Sequence, residues 1–404
     1  MVYTQQLPRI IISGTGSAVP PHRLSNPDLE KMVDTSNDWI IERTGISERA
    51  ISTQYEPLPV LGAVAGHVAL KSAGLTAKDI GLIIFANHKS GTFAVPDNAT
   101  IVQYLLGAEC PAHDQNGGCT GGIIAESAGY NALAGKLYAH LMRNPEEEIP
   151  HDVLNFKVLV LAGDTLSHVL NYKDRATCIL LSDGVGAAVL QFSLDQTVLE
   201  KKYGFLGCYL NADGSLGPNL WWKSGVGPQF SSVDGNLTYG GHEAQVKRPD
   251  FHMDGQVVFK PAVRMMTEAF EKIVEQEHID KSSPEYSQMM IDPHQANWRI
   301  VDAVRKRTPF APEQVYAEGI KKYGNNSLGT YMVAQDELHV GGHLYPGRLL
   351  AKVAFGAGFI WGADLHRWAL NRPKPSQITS DAEKQALVRM YYSKYSEWVS
   401  QLCA

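Results

Sequence analysis

Cys119, His294 and Asn325 are the side chains whose types and surroundings could do chemistry together. Each stands where a short strand or polar turn is predicted to open into a helix, and binding and catalytic residues are concentrated at such junctions. A cysteine thiolate can carry an acyl group, and a single cysteine with a distant histidine and asparagine is a candidate nucleophilic site. We therefore treat these residues as the candidate reacting groups.

Two chemistries are compatible with this set. In a cysteine hydrolase, the histidine deprotonates the thiol and the asparagine orients the histidine. In an acyl-transfer condensing site, the cysteine accepts an acyl group, and the histidine and asparagine donate hydrogen bonds to the carbonyl of a second thioester, where an enolate forms. The condensing site also needs an oxyanion hole, for which Gly356-Ala357-Gly358 could supply a backbone N–H.

The stretch around Cys119 begins polar and rich in glycine and then becomes a helix of small residues up to Gly135. Small residues allow other backbone to pack closely, so we expect a central, buried helix. Cys119 would stand at its N-terminus, where the helix dipole favours an anion and lowers the pKa of the thiol. A buried cysteine with a purely structural role is the alternative, because free cysteines are among the most buried residues.

The elements that must position these residues follow a repeating order. Strands alternate with helices, which predicts an α/β fold whose mixed or parallel sheets are covered on both faces. Residues 177–192 and 349–367 are each predicted as a strand, a glycine-rich turn and a strand, which suggests a duplication. We therefore predict two similar halves, 1–195 with the nucleophile and 196–370 with the histidine and asparagine, followed by a C-terminal helical extension at 371–404.

Two segments do not follow this alternation of strands and helices. Residues 214–250 are dominated by Gly, Pro, Ser and Asn with interspersed aromatics such as Trp221 and Trp222, and a loop this long is usually functional or mobile. It could line or cover an apolar pocket, or it could be a surface insertion. Residues 380–402 predict one amphipathic helix, capped by Ser380 or Asp381. Its apolar stripe, which includes Met390, Tyr391 and Tyr395, should dock on the body or on a partner.

The composition excludes several classes of protein. The net charge of −6 argues against bulk nucleic-acid binding, and no run of eighteen apolar residues exists, so we expect no membrane span. The five cysteines are scattered, odd in number and without a CxxC motif. This usage argues against a disulfide framework or a zinc site and favours a reducing cytoplasm.

Several stretches of the chain, taken together, resemble β-ketoacyl-acyl-carrier-protein synthase III, a family of thiolase-fold condensing enzymes. The resemblance implies a thiolase-like fold with mixed sheets layered around buried helices. The stretches occur in the family's order, and each alone would be much less specific than the set. They lie at residues 14–20, 32–49, 174–190, 253–260, 293–300, 323–327 and 354–362.

The resemblance also implies roles for individual residues. Cys119 matches the acylated nucleophile, and His294 and Asn325 match the pair that promotes decarboxylation of a malonyl thioester and stabilises its enolate. Ala357 matches the oxyanion donor that acts beside the N–H of Cys119. The remaining matches concern coenzyme A and the acyl pocket of a homodimer: Trp39 and Arg175 sandwich the adenine, Arg43 is a nearby basic contact, and Val95 caps the acyl pocket across the dimer.

The implied activity is the transfer of an acyl group from acyl-CoA to Cys119 and its condensation with a malonyl thioester, on carrier protein or CoA, without a metal or redox cofactor. The chain departs from the family at Asn116-Gly117-Gly118 and Gly122, where small apolar and aromatic residues are usual, and at Ala357, where glycine is usual. These departures concern the substrate. The alternatives are acyl transfer to oxygen or nitrogen, non-decarboxylative condensation, or a non-catalytic partner subunit.

Overall fold

The computed structural model describes residues 6–90, 93–223, 230–233, 236–239 and 250–402. Its strands, in chain order, are β1 Arg9–Ala18, β2 Arg23–Ser25, β3 Glu48–Ala50, β4 Leu82–Ala86, β5 Ala112–Gln115, β6 Lys157–Thr165, β7 Asp183–Ser193, β8 Gly204–Ala212, β9 Leu220–Lys223, β10 Phe230–Val233, β11 Asn236–Tyr239, β12 Asp250–Met253, β13 Met290–Pro293, β14 Leu349–Gly356 and β15 Ile360–Arg367.

The helices alternate with these strands along most of the chain. In chain order they are α1 Asn26–Glu30, α2 Asn37–Thr44, α3 Leu58–Ala73, α4 Asn98–Leu106, α5 Gly121–Arg143, α6 His151–Leu154, α7 Arg175–Cys178, α8 Gln196–Glu200, α9 Gly255–Gln276, α10 Pro284–Ser287, α11 Trp298–Arg305, α12 Glu318–Tyr323, α13 Thr330–Val340 and α14 Asp381–Ser400.

Two mixed sheets in the described part of the chain share one topology. The first has the order β1-β7-β6-β4-β5, and the second, read from its edge, has the order β8-β15-β14-β13. In both, the first two pairings are antiparallel and the third is parallel. The counterpart of β5 is a single parallel bridge between Ile291 and Val315. The matching order supports the predicted duplication, while the boundaries at 195 and 370 stay predictions.

Helices α5 and α13 lie against strands of both sheets, whereas α3 covers the outer face of the first sheet and α9 that of the second. The small residues of β1 allow its close contact with α3, because a Cβ at Gly16 would collide with the backbone of Ala65 and Ala69. The first part of α5 is buried, as its composition predicts. Its second part is partly solvated and exposes Tyr138 and Met142.

The strand–turn–strand predicted for residues 177–192 is wrong. Residues 175–178 form α7, and β7 continues without a turn through Gly184 and Gly186, paired with β1 on one side and β6 on the other. The glycines serve close packing, because a Cβ at Gly186 would collide with the backbone of Met332 in α13. The second predicted turn, Gly356-Ala357-Gly358, does join β14 to β15.

The segment 214–250 is not one continuous loop. Strand β9 pairs antiparallel with β12, and β10 pairs antiparallel with β11. The remainder of the predicted loop, at 224–229, 234–235 and 240–249, lies outside the described residues.

The C-terminal helix α14 docks on the body of the same chain, against α3 and α4. Of the two predicted caps, Ser380 is the N-cap and Asp381 is the first helical residue; the buried residues are Val388, Tyr391 and Tyr395. Met390, which the sequence places in the apolar stripe, is instead 51% exposed. Among the described helices, none has the length and apolarity that crossing a membrane requires.

Candidate active site

Cys119 lies in a 3-10 turn, Gly118–Thr120, that leads directly into α5. The turn is tied to the second half of the chain, since the Thr120 hydroxyl donates to the carbonyl of Ile360 at 2.9 Å and the Tyr331 hydroxyl donates to the carbonyl of Cys119 at 3.1 Å. A Cβ at Gly356 would collide with the backbone nitrogen of Cys119. The sulfur therefore stands at the contact between the two halves.

The surroundings of the Cys119 sulfur correct one prediction. Burial raises the pKa of the thiol to about 11, and the negative charge of Asp164 acts in the same direction. Hydrogen bonds from the Ser327 hydroxyl, 3.4 Å from Sγ, and from the backbone N–H groups of Cys119 and Ala357 only partly offset this cost. The expected lowering of the pKa at a helix N-terminus is thus outweighed by desolvation.

His294 directly follows β13, and its backbone N–H donates to the carbonyl of Val353 at 2.8 Å. Its Nδ1 lies 2.8 Å from the hydroxyl oxygen of Thr330, at the start of α13. Burial lowers the pKa of His294 to about 3. The imidazole is therefore neutral at physiological pH and can serve as a hydrogen-bond donor only through whichever ring nitrogen carries its single hydrogen.

Asn325 is held by its backbone and by its side chain. Its backbone N–H donates to the carbonyl of Leu180, and its carbonyl accepts from the N–H of Ser182 at 2.9 Å. Its side-chain oxygen accepts from the N–H of Ser327 at 2.9 Å, and its Nδ2 donates to the carbonyl of Ala296 at 3.2 Å. The amide nitrogen is thus turned towards the loop that carries His294.

One cavity of about 1210 Å³ brings together Cys119, His294, Asn325 and Ala357. These are the residues that the sequence singles out as reacting groups and oxyanion donors. Part of segment 214–250 contributes to the wall, as predicted for a pocket-lining loop. The aromatic and large apolar residues of that wall include Leu220, Trp221, Trp222, Phe251 and Phe259.

The residues predicted to bind coenzyme A lie together but outside the lining of this cavity. The guanidinium carbons of Arg43 and Arg175 stand 4.4 and 4.9 Å from the ring centroid of Trp39, which is a cation–π arrangement. Val95 is also outside the lining and is 82% exposed, although its neighbour Ala94 lines the cavity. Its predicted place in a partner's pocket stays a prediction.

Sequence reasoning missed several residues of the site. Ser327 and Thr330, which contact the sulfur and the imidazole, are spaced i, i+3 at the start of a predicted helix, and that spacing puts two side chains on one face. His88 and Asp164 also line or adjoin the cavity. Each stands two residues after an apolar run, 80–86 and 156–162, that predicts a buried strand. The shared edge of parallel strands was the signal that could have found them.

One group in the described part of the chain has the ligand types of a metal site: Glu126, Asp364 and His366. The ammonium of Lys352 sits among them, hydrogen-bonded to Glu126 and 3.3 Å from Asp364. A fixed positive charge at that point repels a cation, so we assign this group to buried ion pairing.

Solved structures define the class. The chain matches the 3-oxoacyl-[acyl-carrier-protein] synthase III of Aquifex aeolicus with a TM-score of 0.70 and 30% identity, covering 90% of this chain and 100% of that one. It matches the priming β-ketosynthase of a polyketide biosynthetic pathway with a TM-score of 0.73 and 25% identity, covering 92% and 100%. The fold is therefore the thiolase-like α/β fold of condensing enzymes, which confirms the predicted fold class.

Sequence comparisons narrow the class to a family. Models described as 3-oxoacyl-[acyl-carrier-protein] synthase III and its C terminal match residues 154–214 and 287–368. The β-ketoacyl-[acyl-carrier-protein] synthase III of Caldanaerobacter subterraneus is 38% identical over 360 residues, covering 89% of this chain and 97% of that protein. The corresponding protein of Desulfotalea psychrophila is 36% identical, covering 89% and 99%. The chain belongs to the β-ketoacyl-[acyl-carrier-protein] synthase III family and is an acyltransferase.

Proposed function

We propose that the chain takes an acyl group from an acyl-CoA onto Cys119 and condenses it with a malonyl thioester, borne by acyl carrier protein or CoA, to give a β-ketoacyl thioester and carbon dioxide. One observation carries this proposal. The backbone N–H groups of Cys119 and Ala357 both favour negative charge beside the sulfur, in a cavity that His294 and Asn325 also line. Such an arrangement suits an oxyanion that forms beside the nucleophile and an enolate that forms opposite it.

In the first step, the Cys119 sulfur attacks the thioester carbonyl of acyl-CoA. The carbonyl oxygen becomes an oxyanion, and the N–H groups of Cys119 and Ala357 stabilise it; one such donor contributes about 3 kcal/mol. The carbon–sulfur bond to CoA then breaks. Because burial raises the pKa of the thiol to about 11, the thiol is protonated before the reaction. Its proton is transferred to the departing CoA sulfur, which leaves as a thiol.

In the second step, the thioester carbonyl of the malonyl group accepts hydrogen bonds from His294 and Asn325. The bond between the α-carbon and the carboxylate carbon breaks, carbon dioxide leaves, and the electron pair forms an enolate. The α-carbon of this enolate attacks the acyl carbonyl and expels the Cys119 thiolate. The lowered pKa of His294 supports this role, because a neutral donor needs no prior deprotonation. The role requires the hydrogen on Nε2, so Nδ1 has to accept from the Thr330 hydroxyl at 2.8 Å, in competition with the carbonyl of Ser327 at 3.0 Å from the same hydroxyl.

For coenzyme A we propose the surface formed by Trp39, Arg43 and Arg175. An adenine between Trp39 and Arg175 needs about 7 Å, which is two ring-to-ring contacts of ordinary van der Waals length. The guanidinium of Arg175 stands 4.9 Å from the ring centroid. Arg175 is exposed and donates to the carbonyl of Asp34 at 3.0 Å, a bond that has to break for the ring to enter, while Arg43 supplies positive charge for a phosphate.

We further propose a homodimer in the cytoplasm that works without a metal or redox cofactor. Val95 supports the dimer, because a large apolar side chain that is 82% exposed is well suited to burial against a second copy. The reaction as written transfers no electrons to an acceptor, and hydrogen-bond donors stabilise each developing charge.

The test is intact-mass measurement after incubation with a series of acyl-CoAs, followed by carbon dioxide release from malonyl thioesters. We expect an acyl adduct on Cys119 that persists in Cys110→Ser and disappears in Cys119→Ser. No adduct with any acyl-CoA would favour a non-catalytic partner subunit. An adduct without carbon dioxide release would favour acyl transfer to oxygen or nitrogen, or non-decarboxylative condensation.

A further inference from the structure

The C-terminal helix α14 lies beyond the part of the chain that the family models match, yet it reaches a segment beside the candidate active site. The match to the C-terminal model ends at residue 368, whereas α14 begins at Asp381. Near the end of α14, Trp398 contacts Phe93, which precedes α4. The ring centroids are 5.7 Å apart and the ring planes meet at 84°, which is an edge-to-face aromatic pair. Both side chains are partly buried and pack against the core that includes α3 and α4.

The residue that follows Phe93 borders the cavity of Cys119. Ala94 lines that cavity together with Lys89, whose Nζ donates to the carbonyl of Ala94 at 3.3 Å and pairs with Asp97 at 3.0 Å. The ion pair is partly solvated, and such pairs restrain a segment only weakly. The aromatic pair is therefore the apolar contact that holds this part of the cavity wall from behind.

Helix α14 also holds the far end of α4, the helix into which this segment leads. Lys394 lies one turn before Trp398, and its Nζ donates to the carbonyls of Tyr104 at 2.6 Å and Leu105 at 3.1 Å. These carbonyls belong to the last turn of α4, where backbone acceptors run out of partners within the helix and a cation is favourable. The ammonium also lies 4.5 Å from the ring centroid of Tyr104. Two residues of one helix face thus hold α4 at its end and the wall segment before its start.

We propose that Trp398 is a positioning residue that limits the length of the acyl chain on Cys119, because it holds Phe93 and thereby the cavity wall at Ala94. This inference rests on the proposed function and names a determinant of its acyl substrate. A chain attached to Cys119 extends into the cavity that Ala94 borders, so a long chain needs the wall to yield more than a short chain does. Loss of the aromatic contact makes that movement easier and therefore favours long chains over short ones.

The experiment measures the rates at which decanoyl-CoA and butyryl-CoA acylate Cys119, followed by intact mass, and takes their ratio. In Trp398→Ala we expect the ratio of the decanoyl to the butyryl rate to rise about threefold or more, a change that the loss of one aromatic pair can supply. Trp398→Phe keeps a ring against Phe93 and should retain most of the wild-type ratio. Met390→Ala, which shortens a side chain that is 51% exposed on the same helix, is the control and should leave the ratio unchanged.

A second variant tests the same contact from the other side. Phe93→Ala removes the partner ring without changing α14, so it should raise the ratio by a similar factor even where Trp398→Ala does not fold. Combining the two substitutions should give no further rise, because both remove one contact. Loss of folded protein alone lowers both rates by the same factor and leaves their ratio unchanged.

A ratio that Trp398→Ala and Phe93→Ala leave unchanged or lower would overturn the inference. Effects that add in the double variant, or an equal rise in Met390→Ala, would do the same. All of these outcomes leave acylation of Cys119, and so the proposed function, intact. Absence of every acyl adduct in the wild-type protein would instead remove the proposed function and this inference with it, so the two failures are distinguishable.

Discussion

At the scale of single residues, the Cys119 sulfur is surrounded by hydrogen-bond donors, yet its thiolate is not favoured. The backbone N–H groups of Cys119 and Ala357 and the Ser327 hydroxyl favour negative charge on it, while burial and Asp164 act against the anion. Hydrogen-bond donors placed in this way give the greatest stabilisation when negative charge moves from the sulfur to the oxygen of a bound thioester. The site is thus suited to the transition state better than to the free thiolate.

The reactivity of Cys119 should accordingly rise with pH. Because the thiolate is the reacting form and burial raises the pKa of the thiol to about 11, we expect its alkylation by iodoacetamide to accelerate about tenfold per pH unit from pH 7 to 10. Peptide mapping by mass spectrometry gives the rate at Cys119. A plateau near pH 7 would contradict the raised pKa and would restore the dominance of the helix dipole.

Asn325 should act in the second step alone. We expect Asn325→Ala to keep self-acylation of Cys119 within a few fold and to slow decarboxylation by about a hundredfold, because one donor to the enolate is lost. Intact mass reports the first step and carbon dioxide release the second. Asn171→Ala, an exposed asparagine elsewhere, is the control. Unchanged decarboxylation in Asn325→Ala would remove this residue from its proposed role.

The sequence predicts the members of the candidate site better than their electrostatics. Cys119, His294 and Asn325 could be selected because residue type and position at element ends are local properties. The pKa of Cys119 could not be predicted, because it depends on how completely distant parts of the chain exclude water from the sulfur. The contact with Ser327 likewise depends on the packing of α13, which lies more than 200 residues further along the chain.

At the scale of elements, glycine-rich stretches were the least reliable indicators of turns. In β14–β15 a glycine-rich stretch makes a turn, whereas in β7 a similar stretch stays extended. The difference is what lies opposite, since α13 packs directly on β7 at Gly186. Local sequence cannot distinguish a glycine that permits a turn from one that admits a neighbouring backbone. Helix α14, by contrast, was predictable because its cap and its periodicity are both local.

Helix α14 should contribute to stability through its buried face. Tyr391 is buried and its hydroxyl lies 2.9 Å from His67 Nδ1, so we expect Tyr391→Ala to lower the free energy of unfolding by about 3 kcal/mol. Its neighbour Met390 is 51% exposed, and Met390→Ala should change that free energy by less than about 0.5 kcal/mol. Urea denaturation measures both. Equal effects of the two substitutions would mean that α14 does not dock as described.

At the scale of the whole molecule, a buried charge network joins the halves. The ammonium of Lys352 in β14 bonds Glu126 of α5, lies 3.3 Å from Asp364 of β15 and donates to Gln335 of α13 at 2.9 Å. Burial alone would lower the pKa of Lys352, but the carboxylates of Asp364 and Glu126 raise it, so the ammonium stays charged. The network therefore connects the helix that follows Cys119 to the sheet that carries His294.

Removing the ammonium of Lys352 should lower the free energy of unfolding. We expect Lys352→Met to lower the free energy of unfolding by about 3–5 kcal/mol, because it leaves buried carboxylates without their counter-charge. Lys322→Met, which removes a half-exposed lysine near Glu337, should cost less than about 1 kcal/mol. Chemical denaturation again provides the measurement. A similar loss in both variants would show that the buried network has no special part in holding the halves together.

The near-contact between Gly356 and the backbone of Cys119 has a wider consequence. Cys119, the proposed nucleophile, leads into α5, whereas Ala357, the proposed oxyanion donor, follows β14 in the second sheet. A Cβ at Gly356 would collide with the backbone of Cys119, so the two segments are in direct contact. Neither predicted half therefore holds all the proposed reacting groups by itself. Turnover thus reports directly on whether the two repeats are correctly seated against each other.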